Sequence, residues 1–548
     1  MLKTQSAGTG DGRPVDAVIV GAGLAGLYEL YRLRGAGFTT RVFEIGAGVG
    51  GTWYWNRYPG ARCDVESIYY SYSFSEELEQ EWEWTERYAA QPEILRYVEH
   101  VAKKFDLARD ITFSTRVAAA HYRDADGLWE VRTDTGETVL ARFLIMATGC
   151  LSVVKSPEVE GAGDFAGPIY HTGHWPHEGV DFTGQRVGLI GTGSSGVQSI
   201  PMIAQQAKTL TVFQRTPTYC YPAWNGPLAP ETMAEAKANY REIRRQQRRS
   251  SGGVPGTRPT LSALEVDAAH REASYREAWA SGDIFKLVSA YYDTVTDERA
   301  NDYASEFVRE RIGEIVRSPE VAEALKPRTY GVGTKRPCLD SGYYDAYNRD
   351  NVTLVNLRRE PLERITPTGI QTAEREFEFD AIVFATGFDA MTGAMTSIDI
   401  RGRGGLKLTD AWAAGPHSLL GLQIAGFPNL FMIAGPLSPS VLTNFIVSIE
   451  QHVDWITSCI EHMRREGIGT IEATEAAQDD WVRQVAEAAA RTLYPKTDSW
   501  YMGANVPGKP RVFLAYAGGL GAYGKLCDEV AADGYRGFEF GMKTSVPA

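Results

Sequence analysis

The sequence has 548 residues, 43% of them hydrophobic and 23% charged, and a chain of this length exceeds what one hydrophobic core organises, so two or three domains are expected. With 56 Lys and Arg against 69 Asp and Glu the net charge is −13, which argues against nucleic acid as the main partner and towards a small molecule, with no obligate protein partner indicated. No apolar run reaches the roughly 18 to 20 residues of a membrane helix, the stretch Met1 to Asp16 is polar, and six scattered cysteines form no C-x-x-C pair; a cytoplasmic chain with reduced thiols and no membrane contact is expected.

In chain order, Val15 to Val20 reads as an apolar strand, followed by a turn carrying Gly21, Gly23, Ala25 and Gly26 and by the amphipathic run Leu27 to Leu33. A second strand, Arg41 to Phe43, ends at Glu44, 18 residues beyond Gly26. Glycines in such a turn let backbone N–H groups approach a pyrophosphate at a helix N-terminus, while the carboxylate accepts hydrogen bonds from ribose hydroxyls and would repel a 2′-phosphate. This first site is expected to hold the adenosine half of FAD.

Phe143 to Met146 runs into Ala147, Thr148 and Gly149, and Ala381 to Phe384 runs into Ala385, Thr386 and Gly387. In two-dinucleotide oxidoreductases such strands mark crossings between the two nucleotide domains. Between them His171, His174 and His177 lie close in sequence without a carboxylate or cysteine at a supporting spacing, so no metal is expected.

The turn recurs downstream, where strand Arg186 to Ile190 leads into Gly191, Gly193, Ser194, Ser195 and Gly196 and then the helical run Val197 to Ala207. After strand Leu210 to Phe213 the acidic position holds Gln214, followed by Arg215 and Thr216. A guanidinium in place of a carboxylate suits a 2′-phosphate, so NADPH rather than NADH is expected. Residues 225–328 are rich in Ala, Glu and Arg and read as a helical insertion, with Arg241, Arg244, Arg245 and Arg248 at helical spacing. A solvated or ion-paired face is the first reading of that stripe, a phosphate or channel role the second.

Two longer motifs are more specific. Phe165, Gly167, His171, Trp175 and Pro176 fill every fixed position of F-x-G-x-x-x-H-x-x-x-W-P, and Gly50, Gly51, Trp53, Tyr58, Pro59, Gly60 and Asp64 fill G-G-x-W-x-x-x-x-Y-P-G-x-x-x-D. The chain resembles the Baeyer–Villiger monooxygenases, and looks closest to the branch of phenylacetone and steroid monooxygenases. The resemblance continues through Lys335, Arg336 and Pro337, the segment Ala385 to Asp389, the loop Gly435 to Ser440 and the stretch Trp500 to Lys509.

That resemblance implies an α/β fold of two Rossmann-like domains: FAD-binding over 1–152 and 390–548, NADPH-binding over 153–224 and 329–389, and the insertion at 225–328. It implies oxidation of ketones to esters or lactones by NADPH and O2 through a C4a-peroxyflavin, with sulfoxidation as a side activity. Arg336 falls at the catalytic arginine position and Asp64 at its carboxylate partner. Thr52, Trp53, Tyr70 and Val117 join the FAD site, while Lys335 and the lid residue Trp500 join Arg215 and Thr216 at NADPH. Val65, Cys150, Leu151, Ser440, Val441, Leu442 and Phe445 are implied as the ketone pocket, and the histidine motif as an interdomain hinge. Three alternatives compete: a flavin monooxygenase for sulfur or nitrogen, a dithiol reductase, which would need a redox cysteine pair, and an NADPH sensor without chemistry.

Overall fold

The computed structural model describes residues 13–155, 158–256 and 258–543; most of the polar stretch Met1 to Asp16 lies outside them. The fold is α/β, and two sheets carry it. The first has eight strands: β1 (Val15–Val20), β2 (Thr40–Phe43), β3 (Ile111–Thr112), β4 (Val117–Arg123), β5 (Leu128–Thr133), β6 (Thr138–Met146), and from late in the chain β17 (Asp399–Arg401) and β18 (Leu430–Met432). The second is assembled in the order β12-β9-β8-β16-β7 from β7 (Ile169–His171), β8 (Arg186–Ile190), β9 (Thr209–Gln214), β12 (Val352–Asn356) and β16 (Ala381–Phe384), all parallel. A parallel pair, β10 (Cys220–Pro222) with β11 (Cys338–Asp340), and an antiparallel meander, β13 (Leu362–Thr366), β14 (Gly369–Thr372) and β15 (Glu376–Glu378), complete the second unit.

The two strand–turn–helix units are near copies. In each the central strand pairs in parallel with the strand after its helix and with a crossing strand: β1 with β2 and β6, β8 with β9 and β16. The helices Leu24–Gly35 and Ser194–Gln206 each start three residues earlier than the apolar periodicity suggests. The reason is geometric, since a helix that presents its N-terminal N–H groups at the turn must begin where the glycines end. Helix Leu24–Gly35 is covered on its far side by helix Phe445–Glu466, which is why Tyr28 and Glu29 are buried with the leucines.

The insertion consists of helices Pro230–Arg249, Ala268–Ser281, Glu298–Ile315 and Pro319–Leu325. Met233, Ala236 and Tyr240 of the first pack into the core of the first unit, whereas Tyr275, Ala278, Ala304 and Phe307 join the core of the second. The insertion therefore bridges both units. The arginine stripe divides accordingly: Arg241, Arg245 and Arg248 are exposed, but Arg244 is buried, its Nε 2.7 Å from Glu79 Oε1 and its guanidinium bonded to Ser71 and Gln247. Among the described residues no helix is long and apolar enough to cross a membrane.

Candidate active site

Gly21 and Gly191 open the two turns at φ +105° and +110°, in the left-handed region that only glycine occupies without strain. A Cβ on Gly26 would lie 1.9 Å from the Gly21 carbonyl oxygen, and one on Gly196 2.3 Å from that of Gly191, so each helix seats directly on its turn. Ala147 and Ala385, the first residues of the two Ala-Thr-Gly tripeptides, lie under Gly21 and Gly191. Both helices begin without a capping side chain or an acidic residue in the first turn, leaving Gly23, Ala25, Gly193, Ser194 and Ser195 around bare N-terminal N–H groups.

Glu44 is buried beside the first turn. Its Oε2 accepts from Ala22 N–H and its Oε1 from Gly46 N–H, both at 2.7 Å. Burial raises its pKa against the opposing pull of those two N–H groups, and each oxygen keeps a second lone pair for a ligand hydroxyl. Thr115 N–H donates to the Glu44 carbonyl, which sets Val117 at the start of β4 close by. Thr52 and Trp53 occupy the short helix Thr52–Trp55, where Trp53 Nε1 donates to Tyr70 Oη at 3.1 Å.

At the second turn Gln214 is committed inward, its Nε2 donating to the Ala324 carbonyl. Arg215 is exposed and Thr216 half-buried, the latter's carbonyl accepting from Thr192 Oγ1. Burial lowers the Lys335 pKa; Asp498 opposes this, while Arg215 and Arg358 add to it. Those last two shifts place three cations near one another. Arg358, whose Nε donates to the Arg215 carbonyl at 2.9 Å, lies in no sequence motif.

Arg336 Nη2 donates to Asp64 Oδ2 at 3.0 Å across 272 residues, and Asp64 Oδ1 is buried without a partner. The Asp64 side chain is 6% exposed and that of Arg336 36%. Desolvation works against the guanidinium charge, but the Asp64 carboxylate and the Tyr501 phenol beside it hold its pKa above the usual arginine value. Burial pushes the Cys150 thiol up to about 12, with Arg336 pulling the other way. Val65, Cys150 and Val441 belong to one apolar cluster, against which Leu151, Leu442, Phe445 and Trp500 pack. Ser440 sits in that wall at φ +27° with its hydroxyl buried and unpartnered, and Ala434 and Leu437 of the same loop are also left-handed. Such strain in non-glycine residues needs surrounding structure to sustain it and concentrates at functional loops.

Trp500 begins a short turn beside Tyr501, and the segment beyond it is pinned to both crossings. Lys155 Nζ donates to the Asn505 carbonyl, Asn505 Nδ2 to the Phe388 carbonyl, and Lys509 Nζ to Asp389 and to the Ala390 carbonyl. Thr497 Oγ1 bonds Thr334 Oγ1 at 2.9 Å, immediately before Lys335. The family resemblance covers Asp389, Asn505 and Lys509, but each clamp joins residues distant along the chain, so the sequence does not mark the pairings.

His171 ends β7. Its Nδ1 accepts from Gly173 N–H at 3.0 Å, so the neutral ring carries its proton on Nε2, 3.1 Å from Thr386 Oγ1. Burial lowers its pKa to about 4, with His174 adding to the effect. Phe165 and Trp175 are buried. Gly167 does not take a left-handed turn; a Cβ there would meet the Phe165 ring at 2.7 Å. Pro176 follows Trp175, and His174 and His177 face the rings of Trp55 and Tyr54.

Comparison with known proteins agrees with this architecture. The family described as pyridine nucleotide-disulphide oxidoreductase matches residues 18–246. A Baeyer–Villiger monooxygenase of Pseudooceanicola batsensis is 44% identical over 96% of each chain. The chain belongs to the Baeyer–Villiger monooxygenase family. Among solved structures, an oxidized steroid monooxygenase bound to NADP superposes on this family member with a TM-score of 0.93 at 52% identity, covering 97% of this chain and 100% of that one. OTEMO in complex with FAD and NADP superposes with a TM-score of 0.93 at 41% identity, covering 96% and 99%. The chain is thus a monooxygenase by family, built as the α/β double-dinucleotide fold that its two glycine turns imply.

Proposed function

We propose that this chain binds FAD at the first turn and NADPH at the second, and converts ketones to esters or lactones: ketone, O2, NADPH and a proton give ester, NADP+ and water. The observation that carries the reading is the Arg336–Asp64 pair, placed beside the apolar wall of Cys150 and Tyr501 with one carboxylate oxygen left unpartnered. The fit to both cofactors rests on the two uncapped helix N-termini, the buried Glu44 carboxylate at the first, and the cationic group Arg215, Lys335 and Arg358 at the second, none of which has a carboxylate within ion-pair distance among the described residues. The buried, unpartnered Ser440 Oγ and Asn505 Oδ1 add polar groups that a ligand could satisfy. The domain division set out from the sequence is part of the same proposal.

A bound flavin would supply the oxygen activation, with NADPH as its reductant. Arg336 contributes a charge that does not titrate and a set of donors for the negative charge that develops on the ketone oxygen, in a site where Asp64 fixes its orientation. Val65, Leu151, Val441, Leu442 and Phe445 orient the ketone and exclude water. Arg215, Thr216 and Lys335 hold the coenzyme's 2′-phosphate, and Trp500 covers the bound nucleotide. Oxidation of thioethers is proposed as a side activity of the same pocket. The test is product analysis after incubation with NADPH, O2 and a panel of cyclic, aryl-aliphatic and linear ketones together with a thioether. Esters or lactones are expected. NADPH consumption that yields only hydrogen peroxide, or only sulfoxide, would refute the ketone assignment.

A further inference from the structure

The fold brings together two thiols that sequence spacing left unrelated. β10 and β11 run parallel with Cys220 opposite Cys338. Partners in register on neighbouring parallel strands point to the same face with their Cα atoms about 4.8 Å apart, inside the roughly 4.4–6.8 Å that disulfides span. Both are free and buried, 0% and 2% exposed. Cys220 Sγ donates to the Thr218 carbonyl at 3.7 Å. Cys338 Sγ donates to Ser194 Oγ at 3.3 Å, and Ser194 is the first, half-exposed residue of the helix that opens at the second glycine turn. Burial and the neighbouring Cys338 thiol raise the Cys220 pKa well above the ordinary value, in keeping with two sulfurs side by side.

We propose that Cys220 and Cys338 form a reversible disulfide on exposure to hydrogen peroxide, and that closing it uncouples Cys338 from the second dinucleotide turn. The oxidant is the peroxide that a flavin monooxygenase releases when NADPH is spent without oxygen transfer. Cys338, nearer the half-exposed turn, attacks one peroxide oxygen as its thiolate; the O–O bond breaks and one water leaves with the displaced oxygen. The resulting sulfenic acid is attacked by Cys220 sulfur, the S–S bond forms and the second water leaves, so two thiols and one peroxide give one disulfide and two waters. A disulfide sulfur has no proton to donate, so the bond to Ser194 Oγ is lost at the foot of the helix that would carry the coenzyme pyrophosphate. Side chains in register across a parallel pair are not ideally placed for a disulfide, and a strained bridge is the readily reduced kind.

The effect on coenzyme rests on the proposed NADPH site; the bridge itself does not, and the experiment separates them. Flavin-loaded protein is treated with hydrogen peroxide with and without NADP+, stopped with catalase, denatured in N-ethylmaleimide and digested without reduction. The expected results are a peptide pair joined through Cys220 and Cys338 that dithiothreitol separates, slower bridging under NADP+, and weaker NADP+ binding by the oxidised protein that dithiothreitol restores. Cys220→Ala should keep its NADP+ affinity through the same treatment, with Cys220→Ser as the alternative if the alanine variant does not fold. Recovery of both cysteines as maleimide adducts, or as sulfinic or sulfonic acids, overturns the proposal, as does equal loss of affinity in the Cys220 variant. A linked peptide whose formation ignores NADP+ would leave the bridge standing and count against Ser194 as a coenzyme contact.

Discussion

Arg336 is held by a single carboxylate oxygen of Asp64, 3.0 Å away, and that carboxylate is far more deeply buried than the guanidinium it anchors. This asymmetry suits a group that must be fixed at one end and available at the other. Arg336→Ala should retain flavin, because the first glycine turn and Glu44 are untouched, yet lose ester formation on the order of 10²-fold or more; stopped-flow mixing of the reduced variant with O2, followed by product analysis, reads the loss, and near wild-type oxygenation would make the pair structural. Glu29 is a further buried acid, with no evident role. The buried Thr457 hydroxyl beside it makes no hydrogen bond of good geometry, and desolvation raises its pKa from 4.5 to about 8 against the pull of Arg32 and Thr457. The folded state therefore holds a proton that the unfolded state releases above about 4.5. Its linkage term is fully favourable below the unfolded value and is lost as pH rises through about 8. Glu29→Gln should match the parent near pH 5 and exceed it near pH 8, by a shift in Tm on the order of 2 °C or more; thermal unfolding at the two pH values checks it, and an equal difference at both would show that Glu29 ionises in the fold.

At the scale of elements, the proposed 2′-phosphate site draws on three chain segments: Arg215 follows β9, Arg358 follows β12, and Lys335 stands on the turn before β11. Only the first and third carried any mark in the sequence. Arg215 replaces an expected acid and Lys335 lies in a recognisable run, whereas Arg358 becomes relevant solely because β12 pairs with β9 and ends beside it. The same distinction runs through the molecule. Glycine turns, Glu44 and the motif around His171 are local in sequence, because a backbone conformation or a short linker needs particular residues in a row. Arg244 at Glu79, Thr497 at Thr334 and Cys220 at Cys338 are products of topology, and nothing in either partner's neighbourhood announces them. Arg358→Ala should raise the KM for NADPH about tenfold with little change for NADH, since a charge-assisted contact is worth about 1.5–3 kcal/mol and exposure places this one at the lower end. Arg215→Ala should do the same more strongly. Steady-state kinetics with both coenzymes test the pair, and parallel changes for NADPH and NADH would remove Arg358 from the phosphate site.

Across the whole molecule the two sheets are joined by chain crossings at Ala147 to Gly149 and Ala385 to Gly387, and the histidine motif is threaded between them. β7 forms the edge of the second sheet, with His171 opposite Phe384 of β16. Its Nε2 faces Thr386 of the second crossing, the next residue, Thr172, bonds Ser195 of the second glycine turn at 2.9 Å, and Gly173 packs against Val154 and the Phe388 ring, which bridge the two crossings. The stretch beyond Trp500 is pinned at the same place through Lys155, Phe388 and Asp389. The chain passes between the two sheets at this junction, which is where the proposed hinge would act. A histidine whose Nδ1 accepts from a backbone N–H and whose pKa is lowered to about 4 stays neutral over the working range, so its own ionisation falls outside the pH–rate profile near pH 7. His171→Ala should keep its flavin and turn over slowly, through loss of the Thr386 and Gly173 contacts, while the shape of its pH–rate profile between pH 6 and 9 follows the parent. Disappearance of an ionisation near neutrality from that profile, with NADPH affinity unchanged, would make His171 an acid or base and not a hinge.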